Sequence, residues 1–420
     1  MSADLPRIAV LATGTELLSG ELSDSNSAVI ARQLARVGLQ LAEVRVVGDS
    51  EADISAALQQ LAEGNRVVIC TGGLGPTSDD LTARAAARAC EKKLVLNDEA
   101  LQLIKNHFRR INRPLQPGNE KQALLPHKCR LLENRRGTAP GFHLRRNETD
   151  LYFLPGVPDE MATMCQELVI PDVQRFIPER LARLEKIVKV FGLAEPQVET
   201  LLHQAALPGE VEVAYGVEMP VVLVKLRSAG EHAERLDRAE LLVRKALGDF
   251  AFGGADATLS GVVCQLLADH GTTLSLAESC TGGMIAKLLT DTPGSSAFLE
   301  RGAVTYANSA KHDWLQVPAE VLARQGAVSR QCAVAMAEGI RRTARTDLGL
   351  AVTGIAGPSG GTADKPVGTV FIALAGTATT RVEEFRFGGN RERIRTLTSY
   401  TALDWLRRYA MQRFEEPEHA

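Results

Sequence analysis

Short apolar runs alternate with amphipathic stretches along the first third of the chain. Three runs predict strands, at 7–12, 41–47 and 66–71. Between them, apolar residues recur three and four positions apart, and an alanine-rich stretch at 80–90 also predicts a helix. Strands that alternate with helices indicate a parallel sheet covered on both faces. We therefore predict an α/β domain over residues 1–171.

The pattern changes after Pro171 and again near residue 255. The middle segment, 172–254, predicts a small α+β module whose elements are a strand at 186–191, a helix at 195–205, strands at 211–215 and 220–227, and a helix at 231–248. The last segment, 255–414, opens with a predicted helix at 257–269 and returns to α/β alternation. Three domains are therefore expected.

Composition narrows the classes of protein. A chain of 420 residues is too long to fold around a single hydrophobic core. Its 45% apolar and 24% charged residues are ordinary for a globular protein. A net charge of −3 gives no reason to expect nucleic acid or a membrane as partner. The seven cysteines include no C-x-x-C pair, so neither a disulfide framework nor a zinc site is indicated. With no leader pattern at the N-terminus, we expect a cytoplasmic protein.

Ser279 lies in the most informative stretch, the polar turn Ala277–Gly283 between an apolar strand and a predicted helix. A serine at a helix N-terminus meets free N–H groups that stabilise developing negative charge. Lys311 could be its base, since a lysine of lowered pKa activates a hydroxyl, and Tyr306 stands five residues before it. The alternatives are a simple N-cap serine and catalysis by Cys280 with a histidine such as His312.

Two glycine-rich turns of the N-terminal segment carry carboxylates. Both follow predicted strands, and ligands of parallel sheets bind beyond the carboxyl ends of the strands. Glycine turns can hold a phosphate ester, and carboxylates can hold a divalent cation. The residues concerned are Gly14, Glu16, Asp24, Asn26, Gly72, Gly73, Gly75, Thr77, Asp79 and Asp80. The alternative for Asp79 and Asp80 is stabilisation of the following helix.

Long, ordered motifs give the chain a family resemblance. GTELLSG with Asp24, TGGLGPTSDD and PGVPDEM resemble the MoaB/Mog-like, molybdopterin-binding domain that opens proteins of the CinA family. AESCTGG, GAVTYANSAK, TGIAGPSGG and KPVGTV resemble the nicotinamide-nucleotide amidase domain that closes them. The middle segment corresponds, more loosely, to the KH-like linker domain of that family.

For residues 255–414, the resemblance implies hydrolysis of the carboxamide of nicotinamide mononucleotide, a step of pyridine-nucleotide salvage that requires no cofactor. Ser279 matches the nucleophile, Lys311 the base and Tyr306 the third catalytic group. The N–H groups of the turn are expected to bind the oxyanion or phosphate, a second loop to line the opposite wall, and two arginines to bind phosphate. These residues are Thr281, Gly282 and Gly283; Thr353, Gly354, Gly357 and Ser359; and Arg391 and Arg395.

For residues 1–171, the resemblance implies a metal-dependent pyrophosphatase acting on ADP-ribose. Asp24, Asp79 and Asp80 are the expected ligands of a divalent metal ion. The same motif also fits a domain that only binds a nucleotide or pterin. A third reading, suggested by the family name alone, is a non-enzymatic partner in DNA uptake or recombination. The resemblance further implies a homodimer.

Overall fold

The computed structural model describes residues 5–116, 118–177, 183–229 and 232–415. These residues form two compact units, one within Met1–Glu185 and Arg227–Leu236 and the other within Lys186–Leu226 and Asp237–Ala420. We call them unit 1 and unit 2. The α/β fold class is confirmed, whereas the three predicted domain boundaries stay predictions. The start of the chain, and the first residue of the helix predicted at 231–248, lie outside the described residues.

Unit 1 contains a six-stranded sheet in the order β2-β1-β3-β8-β7-β6 and a small pair, β4 and β5. Its strands are β1 (Ile8–Thr13), β2 (Leu41–Val47), β3 (Val67–Thr71), β4 (Leu94–Leu96), β5 (Leu124–Pro126), β6 (Arg130–Leu132), β7 (Gly141–Arg146) and β8 (Thr149–Leu154). Strands β2, β1, β3 and β8 are parallel, and β7 and β6 extend the sheet antiparallel. The parallel strands therefore end at one edge, as predicted.

Helices cover both faces of this sheet. They are α1 (Thr15–Ser19), α2 (Ser25–Arg36), α3 (Glu51–Gly64), α4 (Thr82–Ala89), α5 (Asp98–Arg110), α6 (Pro158–Met164) and α7 (Ile170–Gln174). Alternate residues of β1 face opposite sides, so Leu11 packs with Leu58 of α3 while Val10 packs with Ile30 of α2. Because both faces are covered, β1, β3 and β8 are buried along their whole length. The domain has three layers.

The middle of the chain forms a four-stranded sheet in the order β10-β11-β9-β12. Its elements are β9 (Arg183–Val190), α8 (Glu195–His203), β10 (Glu212–Glu218), β11 (Val221–Ala229), α9 (Ala233–Leu247) and β12 (Ala251–Gly253). Strand β10 extends three residues beyond the predicted 215, because it pairs with β11 up to the turn at Met219–Pro220. The short edge strand β12 was not predicted.

The rest of unit 2 contains a five-stranded sheet in the order β14-β13-β15-β16-β17. Its elements are α10 (Leu259–Asp269), β13 (Leu274–Glu278), α11 (Met284–Thr290), β14 (Leu299–Val304), α12 (Asn308–Leu315), α13 (Ala319–Arg324), α14 (Arg330–Ala344), β15 (Leu348–Gly354), β16 (Thr369–Ala375), β17 (Thr380–Arg386) and α15 (Arg391–Glu415). Strand β13, the second of the five, is parallel to both neighbours, β14 and β15.

This second sheet is also covered on both faces. Leu276 of β13 packs with Leu406 of α15, and the next residue, Ala277, faces Met336 of α14. Buried residues of the middle module, including Phe191 and Leu223, belong to the same apolar cluster as α10 and α15. Across residues 5–415, apart from the undescribed gaps, no helix has the length and apolar character required to cross a membrane.

Candidate functional site

Ser279 follows the last residue of strand β13. Its N–H continues the strand ladder by donating to the carbonyl oxygen of Val352, at 3.0 Å. The chain then turns through Gly282 and Gly283, whose φ angles of 60° and 90° favour glycine. Helix α11 begins only at Met284. The expectation of a serine at the helix N-terminus was therefore wrong, because a four-residue turn separates the two.

A buried carboxylate that was not predicted from the sequence lies at the start of α11. Glu278 is only 2% exposed, and its two carboxylate oxygens accept hydrogen bonds from three N–H groups. The donors are Gly283 at 3.0 Å, Ile285 at 3.2 Å and Ala286 at 2.8 Å. An acidic residue just before a glycine turn and a helix was the available signal, since anions stabilise helix N-termini.

This carboxylate corrects the predicted donors for an oxyanion. The N–H of Gly283 donates to Glu278, and the N–H of Gly282 donates to the carbonyl oxygen of Ser279, at 3.2 Å. Both N–H groups thus stabilise the turn itself. Their role is to fix the position of Ser279, because the turn is bonded at both of its ends.

Lys311 brings its amine to the serine, as predicted. Its Nζ lies 3.1 Å from Ser279 Oγ. The same nitrogen donates to the carbonyl oxygens of Thr305, at 2.7 Å, and Tyr306, at 3.1 Å. Lys311 is 1% exposed, and burial is the main cause that lowers its pKa below the ordinary 10.5, since the charged form loses water contacts.

The three contacts of Nζ match a neutral amine acting as a base. A neutral lysine keeps two N–H bonds, and the two carbonyl oxygens can accept both of them. The lone pair is then directed at Ser279 Oγ, where it can accept the hydroxyl proton. The arrangement therefore positions a nucleophile and its base within hydrogen-bond distance.

Tyr306, the expected third catalytic group, contacts Lys311 through its backbone. Its carbonyl oxygen orients Lys311, while its side chain is 60% exposed. The phenolic oxygen accepts a hydrogen bond from Arg391 Nη2, at 2.9 Å. Tyr306 thus orients the lysine through the backbone, and its hydroxyl is held by the first residue of α15.

The two predicted arginines join the loops of the site. Arg391 also donates from Nη1 to the carbonyl oxygen of Gly357, at 2.8 Å. Arg395, one turn later on α15, donates from Nε and Nη2 to the carbonyl oxygen of Thr281, at 3.2 and 2.7 Å. Helix α15 therefore contacts the Ser279 turn and the glycine loop at 354–361. Binding of phosphate by either arginine stays a prediction.

The predicted opposite wall is only partly formed by the expected side chains. Thr353 is fully buried, and its hydroxyl donates to the carbonyl oxygen of Ala327, at 2.8 Å, which corrects its role to a structural one. At Gly354, a Cβ atom would lie 2.7 Å from Val370 Cγ2, so the glycine permits close strand packing. Gly357 contacts Arg391, and Ser359 is exposed in the same loop.

Cys280 is a poor rival nucleophile. Its side chain is buried, and burial raises the pKa of its thiol to about 12, so the reactive thiolate is scarce at neutral pH. The histidine expected to assist it, His312, is held by a hydrogen bond between Nδ1 and the carbonyl oxygen of Val317, at 2.9 Å. Cysteine catalysis is disfavoured by both observations.

The N-terminal site is a cavity of about 410 Å³ at the carboxyl ends of β1, β3 and β8. Residues from both predicted turns and from the turn after β8 line it, namely Thr13, Glu16, Asp24, Asn26, Thr71, Gly72, Gly156 and Pro158. Asn26 Nδ2 donates to Thr71 Oγ1, at 3.0 Å, and to the carbonyl oxygen of Gly156, at 2.8 Å. This side chain fixes the three turns around one cavity.

Two glycines are required there by close contacts. At Gly72, with a φ of 107°, a Cβ atom would lie 2.4 Å from the carbonyl oxygen of Thr13. At Gly73, with a φ of 64°, it would lie 2.3 Å from Thr82 Oγ1. Gly14, at the end of β1, donates its N–H to the carbonyl oxygen of Val47, at 3.0 Å. The glycines therefore allow the backbone of these turns to adopt its conformation and to pack closely.

The predicted set of metal ligands is not brought together. Asp24 Oδ1 accepts from the N–H of Ser27, at 2.9 Å, and caps α2. Asp80 Oδ2 accepts from the N–H and Oγ1 of Thr77, at 2.8 and 2.6 Å, and lines a separate small cavity with Gly73 and Gly75.

Asp79 is exposed in the same turn. Within the described ranges, no group of three or more His, Cys, Asp or Glu residues has the geometry of a metal site. The residues present therefore do not fit a metal site built from protein ligands alone.

Comparison with known proteins covers both halves of the chain. Residues 256–410 match the family described as the CinA C-terminal domain, and residues 9–175 match the family described as a probable molybdopterin binding domain. A CinA-like protein of Syntrophotalea carbinolica is 56% identical over 96% of this chain and 98% of its own. A CinA-like protein of Geobacter sulfurreducens is 51% identical, also over 96% of this chain and 98% of its own.

A solved structure of the competence/damage inducible protein CihA from Agrobacterium tumefaciens is 47% identical where it aligns. It covers 35% of this chain and 91% of its own, with a TM-score of 0.35. The matches to both families, and identity above one half along nearly the whole chain, agree with the order of motifs along the sequence. The chain belongs to the CinA family.

Proposed function

We propose that unit 2 hydrolyses the carboxamide of nicotinamide mononucleotide, giving nicotinic acid mononucleotide and ammonia. The observation that carries the proposal is the 3.1 Å contact between Lys311 Nζ and Ser279 Oγ, with the other amine contacts taken by carbonyl oxygens. The substrate comes from the family resemblance of the motifs around both residues. The CinA-like relatives support the family assignment, and the substrate is tested by the experiment below.

In the proposed first half-reaction, Ser279 Oγ forms a bond to the amide carbon while Lys311 Nζ accepts the hydroxyl proton. The tetrahedral intermediate then expels nitrogen, which takes the proton from Lys311 and leaves as ammonia. In the second half, water attacks the ester carbon and gives a proton to Lys311. That proton returns to Ser279 Oγ as the ester bond breaks, so the enzyme is regenerated.

The test is ammonia release from nicotinamide mononucleotide by the full chain. We expect Ser279→Ala and Lys311→Met to lose turnover by a factor of about 10³ or more, because each removes a member of the nucleophile–base pair. Cys280→Ala, the adjacent control, should keep turnover within about threefold, since burial keeps that thiol protonated. Turnover retained by Ser279→Ala and lost by Cys280→Ala would overturn the serine mechanism.

For unit 1, we propose a pyrophosphatase that cleaves ADP-ribose to AMP and ribose 5-phosphate and depends on an added divalent metal. The cavity of about 410 Å³ supports it, since the cavity lies where parallel sheets bind nucleotides and exposes Glu16 and Asp24. Because the protein ligands alone do not form a metal site, we assign no step to the ion. The dispersed carboxylates equally favour the second candidate, a domain that binds a nucleotide or pterin without chemistry.

Chromatography of AMP, with calorimetry on the same sample, separates these candidates. We expect Asp24→Asn to lose AMP formation while preserving the fold, because asparagine caps helices about as well as aspartate. Asp53→Asn, in the first turn of α3, is the matched control and should keep activity. Binding of ADP-ribose without AMP, with and without added Mg²⁺ or Mn²⁺, would favour the binding domain.

The proposed partners are small nucleotides, with neither nucleic acid nor membrane, and the protein is proposed to be a cytoplasmic homodimer. Gel filtration with light scattering tests the dimer. Tight, salt-sensitive binding of a DNA duplex by the purified chain would instead support the alternative role in DNA uptake or recombination.

A further inference from the structure

Unit 2 contains a cavity that the proposed reaction does not use, and it is larger than the cavity of unit 1. Its volume is about 650 Å³, within the range of roughly 300–1,000 Å³ common for small-molecule sites. It lies between the middle module and the outer part of the C-terminal sheet and α15. Five aromatic side chains line it, namely Phe191, Phe250, Phe385, Phe387 and Trp405.

The aromatic rings are arranged to receive a planar group. Phe385 and Phe387 are stacked, with ring centroids 5.8 Å apart and planes at 4°. Trp405 meets Phe385 edge-on, at 6.0 Å and 81°. Two parallel rings and a perpendicular indole make a right-angled apolar corner, and a flat ring system can contact a ring face and an edge there at once.

The charged residues around this corner differ in their pairing. Arg408 donates from Nε to Asp404 Oδ2, at 2.7 Å, and its guanidinium lies 4.7 Å from the centre of the Phe250 ring. The guanidinium of Arg408 and the carboxylate of Asp404 are therefore paired with each other in the wall of the cavity. Arg393 is exposed at the edge, and within the described part of the chain its guanidinium makes no ion pair. Glu195, in the first turn of α8, is the acidic residue on the opposing module.

Helix α15 separates this cavity from the Ser279 site. Arg391 and Arg395, four residues apart on one face, contact Tyr306 and the Thr281 carbonyl oxygen. Arg393, Leu397 and Thr401 also repeat every four residues, and they line the cavity. Positions two apart on a helix point in nearly opposite directions. The cavity is thus a site of its own on the other face of α15.

We propose that this cavity binds a planar aromatic ligand that carries an acidic group. The ring system lies in the corner formed by Phe385, Phe387 and Trp405, and the acidic group pairs with Arg393. Guanidinium suits this role because it binds carboxylate, sulfonate or phosphate oxygens through two N–H groups. Binding at this site does not depend on the amidase reaction.

The first experiment uses 1-anilinonaphthalene-8-sulfonate, an aromatic sulfonate, as the probe on the full chain. The chain has two tryptophans, Trp314 and Trp405, so Trp314→Phe leaves one reporter inside the cavity. We expect saturable quenching of Trp405 and enhanced probe emission with a stoichiometry of one. Absence of saturable quenching would overturn the proposal.

Four variants in the Trp314→Phe background test where the probe binds. Arg393→Gln should weaken binding about fivefold and Glu195→Gln should tighten it, since they remove an attractive and a repulsive charge. Ala194→Phe, at an exposed lining position, should weaken binding by filling part of the cavity, without removing a core side chain or adding a second tryptophan.

Arg324→Gln, on α13 and away from the cavity, is the control and should leave the affinity unchanged. Circular dichroism checks that each variant is folded. If Arg393→Gln and Ala194→Phe both kept the affinity of the Trp314→Phe protein, the probe would bind elsewhere and the proposal would be wrong. The same conclusion would follow if Arg324→Gln weakened binding as much as Arg393→Gln.

Discussion

At the scale of single residues, the proposed chemistry depends on how one buried amine is surrounded. Lys311 is almost fully buried, yet the contacts of its Nζ are two carbonyl oxygens and a hydroxyl. Burial penalises the ammonium form, and carbonyl oxygens compensate it less than a carboxylate would. The residue is therefore placed to titrate at lower pH than an exposed lysine.

This environment predicts how turnover depends on pH. The reaction needs the neutral amine, whose population grows as pH rises through the pKa of Lys311. Since burial lowers that pKa below 10.5, kcat/KM for nicotinamide mononucleotide should rise with pH and reach its plateau below that value. A pH–rate profile from pH 5 to 10 measures it.

The control for this profile is a variant whose charge cannot be lost. Lys311→Arg keeps a cation that stays protonated throughout the range, so it should be inactive at every pH. A wild-type profile that falls with rising pH, with circular dichroism unchanged, would contradict a lysine base.

At the scale of elements, one carboxylate links a strand, a turn and a helix. Glu278 ends β13, and its oxygens accept the first N–H groups of α11, so Ser279 is held between two bonded ends. Helix α11 has only seven residues, and short helices have little intrinsic stability. The carboxylate therefore determines where this helix starts.

We expect Glu278→Gln to destabilise unit 2 and to reduce turnover. Glutamine offers one acceptor oxygen where glutamate offers two, so a buried N–H loses its partner, at about 1–3 kcal/mol. Urea unfolding followed by circular dichroism measures the change. Thr258→Ala, which removes the N-cap hydrogen bond of α10, is a matched control and should lower stability by about 1 kcal/mol with turnover preserved. A stable, fully active Glu278→Gln protein would contradict this role.

The turn after β3 leads to a similar prediction for the stability of unit 1. Gly72→Ala places a Cβ atom 2.4 Å from the Thr13 carbonyl oxygen at a φ of 107°, so it should destabilise unit 1 by more than about 2 kcal/mol. Gly64→Ala, at the end of α3 with no atom within 4 Å of the added Cβ, should have little effect or stabilise the helix. Thermal unfolding of both variants distinguishes steric clash from a general effect of alanine.

The strands and helices were largely predictable because their signals are local. Buried strands such as β1 and β3 appear as continuous apolar runs. Two partners of Lys311 Nζ lie five and six residues before it, whereas Ser279 lies 32 residues away and was paired with it through the motifs. Glu278 escaped prediction because its bonds form only after the chain turns through two glycines with positive φ. The aromatic cavity escaped for a related reason, since Phe191 and Trp405 are brought together by packing of distant segments.

At the scale of the whole molecule, the proposed chemistries lie in different units. The nucleophile–base pair is in unit 2, and the cavity with Glu16 and Asp24 is in unit 1. Each has its own sheet, and the site of each lies at the carboxyl ends of parallel strands. The recurrence follows from topology, because parallel strands present their carboxyl ends and the loops that follow at one edge.

This separation predicts that the two activities can be removed one at a time. Ser279→Ala should abolish ammonia release and leave AMP formation from ADP-ribose within about twofold, and Asp24→Asn should do the reverse. We expect this because the two sites belong to separate units and share no residues, and sites without shared partners act additively. Both products are measured in the same preparation, and the double variant should lack both. Loss of AMP formation in a folded Ser279→Ala protein would show instead that the sites are coupled, and the independence inferred from their placement in separate units would be wrong.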